Sequence, residues 1–168
     1  MKYFNINNPI DFELTEKFTT FYNQFSGEDC TAVLNTRGGD NYYAEILVHM
    51  MNQMPNLTMI IQAAYSSGLY LAMATSCKKI LSRHAKGMWH YGRVEMTLST
   101  NKKPYYNEDQ CHFKNLQDNY LSDDLIAQLI MTEDEYRLFK KHEEIYFTLS
   151  RMQQIFSNAE ILPLFTKF

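Results

Sequence analysis

A serine that attacks a carbonyl carbon needs a base to take its proton, N–H donors for the oxygen that turns negative, and a backbone that presents the hydroxyl. Ser66 stands where a chain can supply that setting. In Ala63-Ala64-Tyr65-Ser66-Ser67-Gly68 small side chains let main chain pass close to main chain at the end of a strongly apolar run. A second turn of small residues, Gly38-Gly39, follows a β-prone run and precedes Asp40. Two glycines tolerate positive φ, and their N–H groups lie near the positive end of the helix that Asp40 would cap, which suits them to hold a negative oxygen. Each feature also has a plainer use: Gly38-Gly39 as a strand-to-helix turn, and Ser66 as a helix N-cap.

The base would most naturally be a histidine, of which the chain has five. His49 falls on the polar side of an amphipathic helix, and His112 and His142 fall in charged helical stretches, so these three are expected in solvent. His84 follows Arg83 and reads as a turn. His90 closes Gly87-Met88-Trp89-His90, where a strand would deliver it to a sheet edge. It is the best placed of the five. The cysteines, Cys30, Cys77 and Cys111, form no C-x-x-C pair, and Cys111-His112 has no second pair of ligands. Neither a disulfide framework nor a metal is expected, and no cofactor is called for.

Alternating strands and helices must position these residues. Strands are expected at Lys2–Ile6, 31–34 and 57–63, with two short ones at 80–81 and 88–89. Helical periodicity runs through Leu14, Phe18, Phe21, Tyr22 and Phe25, and again through Tyr43, Ile46, Leu47, Met50, Met51 and Met54 until Pro55 stops it. A buried helix is expected over 66–76. A polar segment over 97–107 leads into a long helix ending near Ile130, and Thr132-x-x-Glu135 is a capping box that opens another helix. Strand, helix, strand, helix predicts an α/β fold with a parallel sheet and crossover helices, in which ligands bind where strands end. No repeat or linker divides the chain, so one domain over 1–168 is expected.

Composition narrows the class of partner. Sixteen Lys+Arg against nineteen Asp+Glu give a formal charge of −3, which supplies no general attraction to nucleic acid or anionic membrane. An apolar content of 45% supports a packed core. The uncharged stretch 57–77 carries Thr58, Gln62, Ser66, Ser67, Gly68, Thr75 and Ser76, so it reads as a strand and a helix, not a membrane span. The first residues bring acids instead of an apolar run, so no signal peptide is expected and a cytoplasmic location is.

Gly38-Gly39, then Ser66-x-Gly68 in an alanine-rich context, then His90 about two dozen residues later, resembles the proteolytic subunit of the Clp protease (ClpP). The likeness runs from about Thr31 to Met152 and is strongest up to His90. It implies the ClpP/crotonase fold, with a protruding handle-like helix within 91–130. It also implies a serine peptidase in which Ser66 is the nucleophile, His90 the base, and Gly39 and Ser67 the oxyanion donors, with Gly38 and Gly68 shaping the site. In the family an acid precedes an aromatic-aliphatic pair and a Ser/Thr that opens a helix. Glu144-Ile145-Tyr146-Phe147-Thr148 has that shape, so Glu144 matches the third member, with Glu143 the register alternative.

The implied partners are a peptide or unfolded-protein substrate and further copies of the chain in a ring. An ATP-driven unfoldase is the family's partner; with the first strand expected from Lys2, the extension that docks it is expected to be absent, and use of such a partner is left open. Arg37 stands where the family has proline, Asp40 adds a charge after the glycines, Tyr91-Gly92 replaces Gln-Pro, and the acid is a glutamate. Three rivals share the residues. A crotonase-like acyl-CoA enzyme or binding protein would use the backbone donors without Ser66 or His90. A Ser–Lys enzyme would pair Ser66 with Lys78, Lys79 or Lys86. An inactive relative would keep only the ring.

Overall fold

The computed structural model describes residues 2–91 and 123–162. The expected 97–107 segment, Cys111, His112 and most of the handle-like helix lie outside the described residues. The chain forms two compact units, 1–89 with 146–168, and 90–145.

The strands are β1 (Lys2–Ile6), β2 (Cys30–Thr36), β3 (Leu57–Tyr65), β4 (Lys78–Trp89), β5 (Ile145–Phe147) and β6 (Glu160–Ile161). They form one sheet in the order β1-β2-β3-β4-β5, with β6 also against β4. The pairings β1–β2, β2–β3, β3–β4 and β4–β6 are all parallel. The fold is therefore α/β with a largely parallel sheet, and helices α1 (Phe12–Phe25), α2 (Asn41–Asn52) and α3 (Ser67–Ala74) make its crossovers. Asp11 caps α1 through Leu14 N–H at 2.9 Å, and Asp40 caps α2 through Tyr42 N–H at 2.8 Å.

The apolar run of β3 predicts burial on both faces. That holds for Met59, Ile60 and Ile61, which are at most 5% exposed, and it stops at Gln62, which is exposed. Helix α3 is apolar nearly all round, with Leu69, Leu71 and Ala72 fully buried, because it lies against β2, β3 and β4 together. The two short strands expected at 80–81 and 88–89 are one strand. Within it, Leu81 pairs with Ile61 and Lys86 with Ala63, so residues 82–85 bulge out opposite Gln62. His84 sits on this excursion and not in a turn between strands. Helix α6 (Leu149–Ile155) packs on β4, where Met152 approaches Gly87 so closely that a methyl there would lie 2.6 Å from its Sδ.

The second unit contains α4, described over 123–130, and α5 (Glu133–Phe139). Both halves of the expected capping box form: Thr132 Oγ1 accepts from Glu135 N–H, and the Glu135 carboxylate accepts from Thr132 N–H. Along α4 the side chains of Ala127 and Ile130 are buried, whereas Leu125 and Leu129 are 62% and 80% exposed. His142, expected on a helix, lies in a turn after α5 with φ +64, its ring tilted at 45° to that of Tyr91 with centroids 4.9 Å apart. No helix among the described residues is long and apolar enough to cross a membrane.

Candidate functional site

Parallel strands place their C-terminal ends on one edge, and β2 and β3 end there in register, Thr36 against Ala64. Beyond them the chain turns twice, at Gly38-Gly39 and at Ser66. The two turns are packed on each other. A methyl added to Gly38 would lie 2.6 Å from Tyr65 O and 2.9 Å from Ser66 Cβ, and Gly38 has φ +94. Only glycine fits that place. Gly68 closes the corner from the helix side, since a methyl there would meet Thr36 Cγ2 at 2.6 Å.

Ser66 itself departs from ordinary backbone geometry, with φ +54 and ψ −127. A non-glycine residue in that region carries a strain of about 1–3 kcal/mol. It occupies the N-cap position of α3, yet its side chain makes no capping hydrogen bond. The helix-cap use of this serine is therefore not realised. Its carbonyl starts the helix by accepting from Leu69 N–H at 2.8 Å, and its own N–H donates to Met88 O at 2.9 Å. A half-buried serine held at positive φ on a sharp strand-to-helix turn is how such turns present a nucleophile.

The main-chain donors of this corner divide into two groups. Gly38 N–H donates to Thr36 Oγ1 at 3.1 Å, and Asp40 N–H to Ile10 O at 2.8 Å. The N–H groups of Gly39 and Ser67 have no acceptor among the described residues. These two residues are adjacent, for Ser67 Oγ donates to Gly39 O at 3.2 Å. They are the positions that the resemblance to ClpP names as oxyanion donors. Gly39 is itself pinned, because a methyl there would overlap the Ile10 carbonyl.

Ser66, Ser67, Gly68, Gly38 and Gly39 are thus brought together in the first unit. His90 and Glu144 belong to the second. His90 is the residue after the last of β4, half-buried, with a buried Nδ1. Glu144 is half-buried and stands immediately before β5, while Glu143 is exposed. Thr148 follows β5 at the N-cap position of α6, though its hydroxyl makes no capping bond.

Of the three lysines weighed as a base, the sheet removes two. Lys78 and Lys79 pair with Thr58 and Met59, seven or eight residues before Ser66, which at ~3.3 Å per residue is on the order of 25 Å along the strand. Lys78 instead pairs with Glu160 at 2.8 Å, and Lys79 Nζ donates to the carbonyls of Thr75 and Cys77. Lys86 stands opposite Ala63, at the Ser66 end. It lines a cleft with Asn35, Arg37 and Tyr65 that sequence reasoning did not assemble. The available signal was the polar alternation Asn35, Arg37 at the end of β2. No protein-family model and no curated protein matches the chain.

Proposed function

We propose that the chain is a ClpP-like serine peptidase of the ClpP/crotonase fold, with Ser66 as nucleophile. The observation that carries the reading is the backbone of Ser66: positive φ, a strand-to-helix corner, and a hydroxyl that caps nothing. A helix start that needed only a cap would have no use for that strain.

In this mechanism Ser66 Oγ attacks the carbonyl carbon of a peptide bond while His90 takes its proton. His90 then gives that proton to the departing amine, and Glu144 holds the imidazole in the required tautomer. Water repeats the sequence to release the acyl group. The N–H groups of Gly39 and Ser67 bind the oxygen as it becomes negative, a contribution of about 3–4 kcal/mol per donor in such sites. The peptide or unfolded-protein substrate and the homo-oligomeric ring belong to the same proposal.

A Ser–Lys pairing is the second reading, and the position of Lys86 at the Ser66 end of the sheet favours it over Lys78 or Lys79. A fluorophosphonate probe separates the two. It should label wild type at Ser66 and leave Ser66→Ala unlabelled. Loss of labelling in His90→Ala with retention in Lys86→Met supports the histidine mechanism. The reverse pattern supports the lysine. If wild type takes no label while the purified protein retains coenzyme A, the hydrolase reading is wrong and the acyl-CoA one takes its place.

A further inference from the structure

Building on the peptidase reading, we infer that the cleft beside Ser66 binds a carboxylate of the peptide substrate, held between Arg37 and Lys86. The cleft measures about 330 Å³, and sheet register explains its composition. Asn35 pairs with Ala63, and Ala63 pairs with Lys86. Residues in register across a parallel sheet point to the same face, and so do residues two apart along a strand. Asn35, Ala63 and Lys86 therefore form one row, with Tyr65 two residues further along β3 on the same face, and Arg37, the residue after the end of β2, also lines the cleft. Alanine in the middle of that row leaves a hollow that its polar neighbours overlook.

Among the described residues, charge in this hollow is of one sign. The described lining includes both cations and no carboxylate, in a chain where acids outnumber bases. Arg37 and Lys86 are exposed and have no ion-pair partner among the described residues. Asp40, close by in sequence, has its carboxylate on Tyr42 N–H. A guanidinium presents a planar fork that matches a carboxylate, and an ammonium on the opposite wall adds a point charge. Asn7 and Asn35 add amide donors at the rim.

The walls are set before any ligand arrives. Thr36 Oγ1 donates to Asn8 O at 2.8 Å, and Ile10 N–H donates to Gly38 O at 3.0 Å, so the segment 7–10 is tied to the glycine turn. A preformed cleft loses less entropy on binding. Its distance from the chemistry is short in covalent terms: Tyr65 precedes Ser66, and Arg37 precedes Gly38, which packs on Ser66. A peptide lying over Ser66 would place a neighbouring side chain, or its own C-terminus, in the cleft.

The test uses the full chain as Ser66→Ala, so that peptides bind without being cut. Fluorescence anisotropy would compare three labelled alanine-based peptides: one with a central Glu and an amidated C-terminus, one with Gln in its place, and the Gln peptide with a free C-terminus. The inference expects the Glu or the free-C-terminus peptide to bind about tenfold tighter than the amidated Gln peptide, and which of the two does so identifies the carboxylate. That preference should fall to about unity when Arg37→Gln and Lys86→Met are added, with unchanged circular dichroism. Equal binding of all three, no binding at millimolar concentration, or a preference that survives both substitutions would overturn it. Because binding needs no nucleophile, a carboxylate preference without fluorophosphonate labelling would sink the peptidase reading alone. Labelling without the preference would sink only the inference about the cleft.

Discussion

The corner at Ser66 and the cluster around Asp124 are both polar, and they treat their hydrogen-bonding groups in opposite ways. In the second unit Asp124 accepts from Tyr91 Oη at 2.9 Å, Lys140 Nζ at 2.9 Å, Tyr136 Oη at 3.1 Å and Gln128 Nε2 at 3.1 Å. Its oxygens are saturated by groups from three segments, and the hydrogen bond from Lys140 leads the causes that hold its carboxyl below the usual range. The same network holds the Lys140 ammonium above its own. At Ser66 the backbone is strained, the serine caps nothing, and two main-chain donors face no protein acceptor among the described residues. One arrangement is complete without a ligand. The other would be completed by one. Saturation marks a structural hub, whereas open main-chain donors on a strained backbone are what the proposed substrate site requires.

The sharpest way to break this contrast is to put a methyl where the corner has no room. Gly38→Ala would place Cβ 2.6 Å from Tyr65 O and hold alanine at φ +94. Overlap and strain together should cost about 3 kcal/mol or more in urea unfolding and abolish fluorophosphonate labelling. A protein that keeps both its stability and its labelling would show that the glycine turn does not support the serine.

Acid titration tests the hub. A carboxyl held below its ordinary value of 3.8 contributes stability in full above that pH and loses it as pH falls through the lower, folded value. Asp124→Asn keeps the shape and discards the charge. It should therefore melt below wild type at pH 7, by a few degrees, with the gap closing as the medium is taken from about pH 4 toward pH 2. Hydrogen exchange at the amides of α5, read at the two ends of this range, would locate the loss in the second unit. An equal gap at both ends would mean that the hub does not depend on charge.

Much of this contrast could be read before any coordinates, though not its decisive part. Asp40, Pro55 and the Thr132–Glu135 box act within one turn of chain, so capping chemistry set the elements they bound. Gly38-Gly39 and Ser66 stood out because small residues at strand ends are local signals too. The continuity of β4 was hidden because Ser82, Arg83 and His84 interrupt its apolar pattern, and only pairing with β3 shows them as a bulge. The cleft was hidden for a similar reason: Asn35, Ala63 and Lys86 are neighbours only through register. The φ of Ser66 lay furthest from view. No propensity puts a serine there, and the packing of Gly38 and α3 around it imposes the angle.

That imposed angle yields the smallest effect and the most discriminating one. Glycine reaches φ +54 with little strain, so Ser66→Gly should recover part of the roughly 1–3 kcal/mol held in the turn, less about 0.5–1 kcal/mol for the greater freedom of glycine in the unfolded chain. The net expectation is a gain of up to about 1 kcal/mol in chemical denaturation, with labelling gone. At a helix cap the same change costs a few tenths of a kcal/mol, because a capping hydrogen bond is lost. The sign of a small number therefore separates the two uses of one serine. A stabilised, unlabelled variant means that the fold holds the hydroxyl in place at its own expense, which a purely structural serine has no reason to require.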